Sequence, residues 1–260
     1  MAIPENFISL HRHEEELRQK SIAAVEASPE LLLHAEALEG AMNALDHFTR
    51  GYSTDDQDKL TIQLLGIRLF NTSASALKLL LSGYYQTAAS HMRDGIETAN
   101  LIDYFTIDPK LVSQWRDADD KERWKRFKPV AVRTALGKRD GVKMTERRDE
   151  VYKVFSTYAS HANPKGFRLL RPTPNGLALI GPFFELTALT ALFSEFAKNN
   201  VPSAMHLVRH FSNRTRLDYL TAIAFLELSD RWSAHVYATP YEPEKFAKLR
   251  SQVDERFPSR

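Results

Sequence analysis

Cysteine is absent from the 260-residue chain. Without thiols there can be no disulfide framework, no thiolate zinc site and no cysteine nucleophile, and the absence fits a reducing compartment. We therefore expect a cytoplasmic protein. The N-terminal segment is charged throughout and has no apolar core, so it is not expected to be a signal peptide. No run of about 18 uncharged apolar residues occurs, so neither a membrane-spanning helix nor a membrane partner is expected.

Several common motifs of catalysis and cofactor binding are also missing. The phosphate-binding loops G-x-G-x-x-G and G-K-[ST] do not occur, and neither does the nucleophile motif G-x-S-x-G. None of the nine histidines has a glutamate three positions before it, which excludes the E-x-x-H pair of helical di-iron proteins. His11 and His13 lie two positions apart, a spacing that points them in different directions on a helix. The sequence therefore predicts neither a cofactor nor a metal site.

Apolar residues recur at helical spacing along most of the chain, which predicts an all-α fold. We expect an up-and-down bundle with a central four-helix core, extra helices at both ends, and one irregular or short β-hairpin connection between residues 162 and 182. In the hairpin form, Asn175–Gly176 would make the turn. The predicted organisation is a single domain, with an acidic helical hairpin over 1–53, the core bundle over 54–200 and further helices over 201–260.

The helix boundaries follow from capping residues and from Gly and Pro. A first helix over 5–27 is expected to bury Phe7 and Leu10, and Thr54–Asp55 is expected to cap a strongly apolar third helix. Gly83 should end that helix, with a partner helix following at once. A later helix is expected over 183–198, and Pro202 is expected to begin the next one.

The helix over 84–105 carries the first candidate site. Arg93, Glu97 and Asn100 lie three and four positions apart along one edge of its apolar stripe, so the arginine and the glutamate can pair. At the border of a core such a pair can hold an anionic ligand. It can equally be a salt bridge that locks neighbouring helices.

A second candidate lies between residues 151 and 167. His161 falls in the last turn of a predicted helix, with Tyr152, Ser156 and Ser160 on a neighbouring flank. A histidine titrates near neutral pH and can act as a general base. The alternative is a histidine that only hydrogen-bonds the terminal carbonyl groups of the helix.

The third candidate is the segment from Lys121 to Arg148, in which eleven basic and three acidic residues give a local charge of +8. Basic groups interleaved with aromatic ones are the material of nucleic-acid-binding surfaces. The same run can be a solvated face, or it can complement residues 1–60, whose five basic and twelve acidic residues give −7. The residues that would contact nucleic acid are Lys121, Arg123, Trp124, Lys125 and Arg126.

The pattern L-x-L-L-x-x-G-Y-Y-x-x-A-x-x-x-x-R-x-x-x-E from Leu77 to Glu97 resembles the first helix pair of the HEPN-like superfamily. The later Tyr152-x-x-x-Ser156, ending in Ser160–His161, resembles an uncharacterised helical family near that group. Together the two patterns cover about residues 62–184. The resemblance implies a helical bundle, frequent dimerisation and a role with RNA in toxin–antitoxin or phage-defence systems.

Active members of the superfamily carry an arginine and a histidine with four to six residues between them on a late helix. This chain departs from that pattern, because no such arginine precedes His161 and the nearest pair, Arg231 and His235, has only three residues between. Two hypotheses follow. The first is a non-catalytic helical interaction protein, homo-oligomeric, with RNA or protein as partner and a pocket around Arg93, Glu97 and His161. The second is a metal-independent ribonuclease in which His161 is the base and Arg93 holds the phosphate.

Overall fold

The computed structural model describes residues 3–160, 164–171, 173, 176–211 and 215–258, with the backbone alone for residues 159 and 160. The chain is about 80% helical and the described residues contain no strand, so the all-α prediction is confirmed. A π-helical turn, Ser156–Ser160, continues the eighth helix, and a 3-10 turn, Gly166–Leu170, follows it. In chain order the helices are α1 (Glu5–Glu26), α2 (Pro29–Thr49), α3 (Gln57–Leu81), α4 (Tyr85–Tyr104), α5 (Lys110–Asp117), α6 (Asp120–Phe127), α7 (Pro129–Asp140), α8 (Val142–Phe155), α9 (Leu186–Val208), α10 (Arg216–Tyr237) and α11 (Pro243–Arg256).

The turn between α3 and α4 forms as the sequence predicts. Gly83 adopts a φ of +86°, and its N–H donates to the carbonyl of Leu80 at 3.1 Å. The N–H of Tyr84 donates to the carbonyl of Leu79 at 2.9 Å, which completes a Schellman motif. Glycine is required at this position because other residues rarely adopt a positive φ.

Two predicted helix boundaries are wrong. Asp56, and not Thr54–Asp55, caps α3, because it immediately precedes the first helical residue and its carboxylate accepts the N–H groups of residues 58 and 59. Pro202 does not begin a helix but lies inside α9. The loss of its backbone donor is tolerated there because α9 packs on α2, α3 and α4, and tertiary packing overrides the local preference of proline.

The core lies where α2, α3, α4 and α9 pack against one another. One continuous hydrophobic cluster runs from Val25 to Trp232, and a small second cluster joins α10 to α11 around Phe246. The first two turns of α1 project beyond this core. Phe7 and Leu10, predicted to be buried, are 60% and 39% exposed, because none of the helices in the described part of the chain covers that end of α1.

A buried histidine joins three of the helices. His34 of α2 is 1% exposed, and its Nδ1 accepts a hydrogen bond from Nε1 of Trp232 in α10 at 3.0 Å. Its Nε2 lies 3.1 Å from Oγ of Ser194 in α9. Because an indole N–H can only donate, Nδ1 is unprotonated, and burial lowers the pKa of His34. The ring is therefore a neutral part of the core.

By length and composition alone, α3 is apolar enough to cross a membrane, and 39% of its most apolar window is buried in the structure. A core helix satisfies the same criteria, and α3 packs on α2, α4 and α9, so this is weak support for a span.

The connection between α8 and α9 is irregular in its described part. Residues 166–170 form the 3-10 turn, and the N–H of Leu179 donates to the carbonyl of Leu170 at 3.0 Å, without a strand. The predicted β-hairpin is not confirmed, and Asn175 of its turn lies outside the described residues. The end of this connection docks on the start of α4, where Tyr85 Oη accepts from the N–H of Glu185 at 2.9 Å.

Candidate ligand-binding site

A cavity of about 310 Å³ lies between α4, α8, α9 and α10. Its basic lining residues are Arg147 and Arg148 of α8 and Lys198 of α9, and His206 of α9 lies beside them. None of the described residues that line the cavity is an aspartate or a glutamate. The remaining lining is made of small polar residues, such as Ser203, and of apolar ones. The cavity therefore offers hydrogen-bond donors and positive charge, which suit an anionic ligand.

A buried carboxylate outside the lining holds two of these side chains. Asp103 of α4 is 1% exposed, and Arg139 of α7 contacts it bidentately, with Nη1–Oδ1 at 3.0 Å and Nη2–Oδ2 at 2.7 Å. Nη2 of Arg148 lies 3.5 Å from Oδ2, and Arg148 also pairs with Asp140. Nδ1 of His206 lies 3.2 Å from Oδ1, without the alignment of a hydrogen bond. Asp103 thus positions Arg148 and His206 at the cavity wall.

The electrostatics of Asp103 follow from these contacts. Burial by itself raises the pKa of the Asp103 carboxyl, but the contacts from His206 and Arg139 outweigh burial and hold the pKa well below its usual range. The carboxylate is therefore ionised at neutral pH. Nη1 of Arg148 is buried and has no hydrogen-bond acceptor among the described residues, although Nη2 is paired. An arginine held on one side with a free donor on the other is suited to contact an acceptor in the cavity.

The predicted pair on α4 forms outside the cavity lining. Nη2 of Arg93 lies 2.8 Å from Oε1 of Glu97, and it also donates to Oη of Tyr152 in α8 at 2.6 Å. Arg133 of α7 stacks on the ring of Tyr152, with its guanidinium carbon 3.6 Å from the ring centroid, and its Nε donates to Asp149 at 3.1 Å. Two arginines thus meet on one tyrosine ring.

Several buried polar atoms around Tyr152 lack hydrogen-bond partners within the described chain. They are Nε of Arg93, Nη1 of Arg133, Oε1 of Glu97 and Oγ of Ser156, which follows Tyr152 by one turn. The π-helical turn begins at Ser156, and such turns occur frequently at functional sites. The two arginine donors can bind hydrogen-bond acceptors of a ligand. We call Arg93, Glu97, Arg133, Tyr152 and Ser156 the Tyr152 cluster.

The predicted site residues are only partly brought together. Arg93, Glu97, Tyr152 and Ser156 meet in the Tyr152 cluster, whereas Asn100 lines the cavity. His161 and the side chain of Ser160 lie outside the described residues, so their predicted roles stay predictions.

Two arginines of the basic segment form ion pairs with acidic residues of the same helix, α6. Arg123 pairs with Asp120 at 2.8 Å and donates to backbone carbonyls at the end of α5, while Arg126 pairs with Glu122 at 2.9 Å. Lys121, Lys125 and Trp124 remain exposed, with Trp124 at 70%. No ion pair among the described residues joins this segment to the acidic residues of 1–60.

The Asp103 group was not among the residues predicted from sequence. Arg139, Arg148 and His206 lie 36 to 103 positions after Asp103 along the chain, so no local spacing links them to it. One signal was present, because Asp103 continues the stripe of Met92, Ile96 and Ala99, and a carboxylate on the buried face of a helix requires a partner.

Comparison with protein-family models, with curated proteins and with solved structures finds no match for this chain.

Proposed function

We propose that this protein is a helical binding protein, homo-oligomeric and cytoplasmic, whose cavity between α4, α8, α9 and α10 takes a small organic anion. The observation that supports it is a cavity of about 310 Å³ with three cationic side chains and no carboxylate among its described lining residues. That volume lies at the lower end of the range for small-molecule sites, about 300–1,000 Å³. The ligand is therefore a compact phosphate or carboxylate compound.

We also propose how the helices around the cavity are organised. Helices α2, α3, α4 and α9 would form the up-and-down core of a single domain, and the remaining helices would be added to it. The HEPN-like resemblance supports a role in a stress or phage-defence system, with RNA or a protein as a further partner.

Arg147 gives the direct test of the cavity. Arg147 lines the cavity, and its guanidinium lies over the ring of Tyr237. Because Arg147 is an exposed residue, Arg147→Gln removes one charged donor with little loss of packing. A hydrogen bond to a charged group contributes about 1.5–3 kcal/mol, so we expect the dissociation constant to rise by about 10-fold or more. Isothermal titration calorimetry with inorganic phosphate, citrate and uridine monophosphate measures it.

Lys143→Gln is the matched control, because Lys143 lies one turn earlier on α8, is exposed and does not line the cavity. At least one of the three anions should bind the wild type and the control equally. Equal affinity in Arg147→Gln, or no binding of any of the three anions, would contradict the anion site.

The Tyr152 cluster favours a second candidate, a metal-independent ribonuclease. Nε of Arg93 and Nη1 of Arg133 are buried donors without acceptors in the described chain, and both arginines contact Tyr152, which precedes His161 by nine positions in the sequence. In this proposal Arg93, oriented by Glu97, holds the scissile phosphate. His161 takes the proton from the attacking 2′-hydroxyl, and the 2′-oxygen bonds to phosphorus as the P–O5′ bond breaks. The leaving 5′-oxygen takes a proton from water, and the products are a 2′,3′-cyclic phosphate and a 5′-hydroxyl.

Cleavage of a labelled single-stranded RNA in the presence of EDTA tests this candidate. We expect His161→Ala to lower the rate at least about 100-fold, since general acid–base catalysis contributes about 10²–10⁴-fold. His235→Ala, at an exposed histidine of α10, should cleave at the wild-type rate. Cleavage unchanged in His161→Ala, or absent from the wild type, rules out this ribonuclease.

A further inference from the structure

Trp124 is an exposed indole surrounded by lysines. It is 70% exposed on α6, and Nζ of Lys128 lies 4.7 Å from its ring centroid. Lys121 and Lys125 are exposed on the same helix, and none of the three lysines has an ion pair among the described residues. Exposed tryptophans are uncommon on monomer surfaces and are frequent anchors of protein interfaces. We call these four residues the Trp124 patch.

The arginines of α6 do not contribute to this patch. Arg123 is directed to the carbonyls of Trp115, Arg116 and Ala118, and Arg126 to Glu122 and Gln114. Arginine is the side chain best suited to clamp phosphates, because its planar guanidinium binds them bidentately. The patch keeps only lysines, so an apolar surface with carboxylates at its edge fits it better than a nucleic acid does.

The same chain presents such a surface elsewhere. An apolar groove of about 480 Å³ lies between α1, α2 and α3, and its lining includes Leu32, Phe70 and Leu77. Glu26 and Glu39 are its only charged lining residues in the described chain. Both are exposed and neither has an ion pair among the described residues. We call this surface the α1–α3 groove.

A Trp124 patch cannot reach the groove of its own chain. Helix α5, which receives the arginines of α6, is tied to the first turn of α3 by the Arg116–Asp58 ion pair. The groove lies toward the other end of α3, at Phe70 and Leu77. Asp58 and Leu77 are separated by about 28 Å of helix at a rise of 1.5 Å per residue. The Trp124 patch and the α1–α3 groove of one molecule therefore remain apart.

We propose that the Trp124 patch of one copy docks in the α1–α3 groove of a second copy, with the indole on the apolar lining and the lysines beside Glu26 and Glu39. The inference rests on the homo-oligomeric part of the proposed function and names its surfaces. The charge complementarity is that of the three lysines of the patch with the two glutamates of the groove, none of which has an ion pair among the described residues. Because the patch and the groove are different surfaces, the contact either forms twice in a two-fold dimer or repeats head to tail in a ring or a chain.

The test uses two surface variants and one control, each analysed by size-exclusion chromatography with light scattering. Trp124→Ala removes the anchor, and Glu26→Lys/Glu39→Lys reverses the charge of the groove. We expect either change to weaken association at least about 30-fold, as for an interface hot spot, and so to give monomers. Glu244→Lys/Glu255→Lys makes the same charge change on exposed α11 and should associate like the wild type.

Mixing the two variants tests whether the patch and the groove bind each other. Each supplies the surface that the other lacks, so an equimolar mixture should form a 1:1 dimer that does not grow further. A monomeric wild type overturns both the homo-oligomer and this inference. A wild type that associates, together with variants that associate equally well, overturns only this inference. If Trp124→Ala still associates but loses binding of a labelled uridine 20-mer, the patch is an RNA surface and the inference fails.

Discussion

Replacing Asp103 with asparagine is expected to lower the free energy of unfolding by about 1.5–3 kcal/mol, because Arg139 loses its bidentate carboxylate while Arg139 and Arg148 keep their ion pairs with Asp140. The change keeps the side chain's shape, so the loss reports charge and hydrogen bonding rather than a cavity. Arg139 would lose a bidentate partner, and Arg148 and His206 would lose the group that positions them at the cavity. Urea denaturation of the wild type and of Asp103→Asn measures the difference.

The difference in the free energy of unfolding between the wild type and Asp103→Asn should also decrease in acid. The pKa of Asp103 is lower in the folded protein than in the unfolded chain, where it is about 3.9. The stabilisation is therefore complete above the unfolded value and is lost as the pH falls through the folded value. We expect the gap between wild type and Asp103→Asn to be constant from pH 7 to pH 5 and to shrink in stronger acid.

Asp46→Asn is the control, because Asp46 pairs with Arg50 on the exposed surface of α2. Such pairs contribute at most about 1 kcal/mol, so this variant should be nearly as stable as the wild type. An Asp103→Asn variant no less stable than Asp46→Asn would show that the buried group does not hold α4, α7, α8 and α9 together.

Replacing Gly83 with alanine is expected to destabilise the protein by about 2–5 kcal/mol. Part of the loss is strain, because the φ of +86° disfavours any residue with a Cβ. The rest is overlap, since an added Cβ would lie 2.9 Å from the backbone nitrogen of Phe183 and closer still to its oxygen. That backbone cannot retreat without breaking the contacts of Tyr85 with Glu185.

Gly51→Ala separates strain from overlap. Gly51 also has a positive φ, +65°, but an added Cβ meets nothing within 4 Å. It should cost only the strain of the left-handed conformation, about 1–2 kcal/mol. Thermal and urea unfolding of both variants gives the comparison, and equal losses would mean that the close approach of Phe183 does not matter.

Much of the fold could be predicted because its determinants are local. The helical spacing of apolar residues and the position of Gly83 depend on neighbours within a few residues, and the structure follows them. The exposed Phe7 and the interior Pro202 could not be predicted in this way. The burial of Phe7 depends on whether another helix covers α1, and the tolerance for Pro202 depends on the helices packed around α9.

In the candidate site, too, contacts within one helix could be predicted and contacts between helices could not. Arg93 and Glu97 are four residues apart on one helix, so their ion pair was predicted from spacing. Arg133 and Tyr152, which complete the Tyr152 cluster, come from two further helices, and their contact depends on how α7 and α8 lie against α4. The cavity draws its lining from four helices, and only Asn100 of its lining was a predicted site residue.

By itself the sequence determined the all-α class, the turn at Gly83, the Arg93–Glu97 pair and the separation of acidic and basic segments. These depend on backbone preference, on spacing within one helix, or on composition. Only the tertiary structure decided that Asp103 gathers Arg139, Arg148 and His206 beside a cavity, and that Trp124 and the α1–α3 groove lie too far apart to meet in one chain. The physical reason is that these relations join residues distant in sequence, and helix packing alone sets the distances between them.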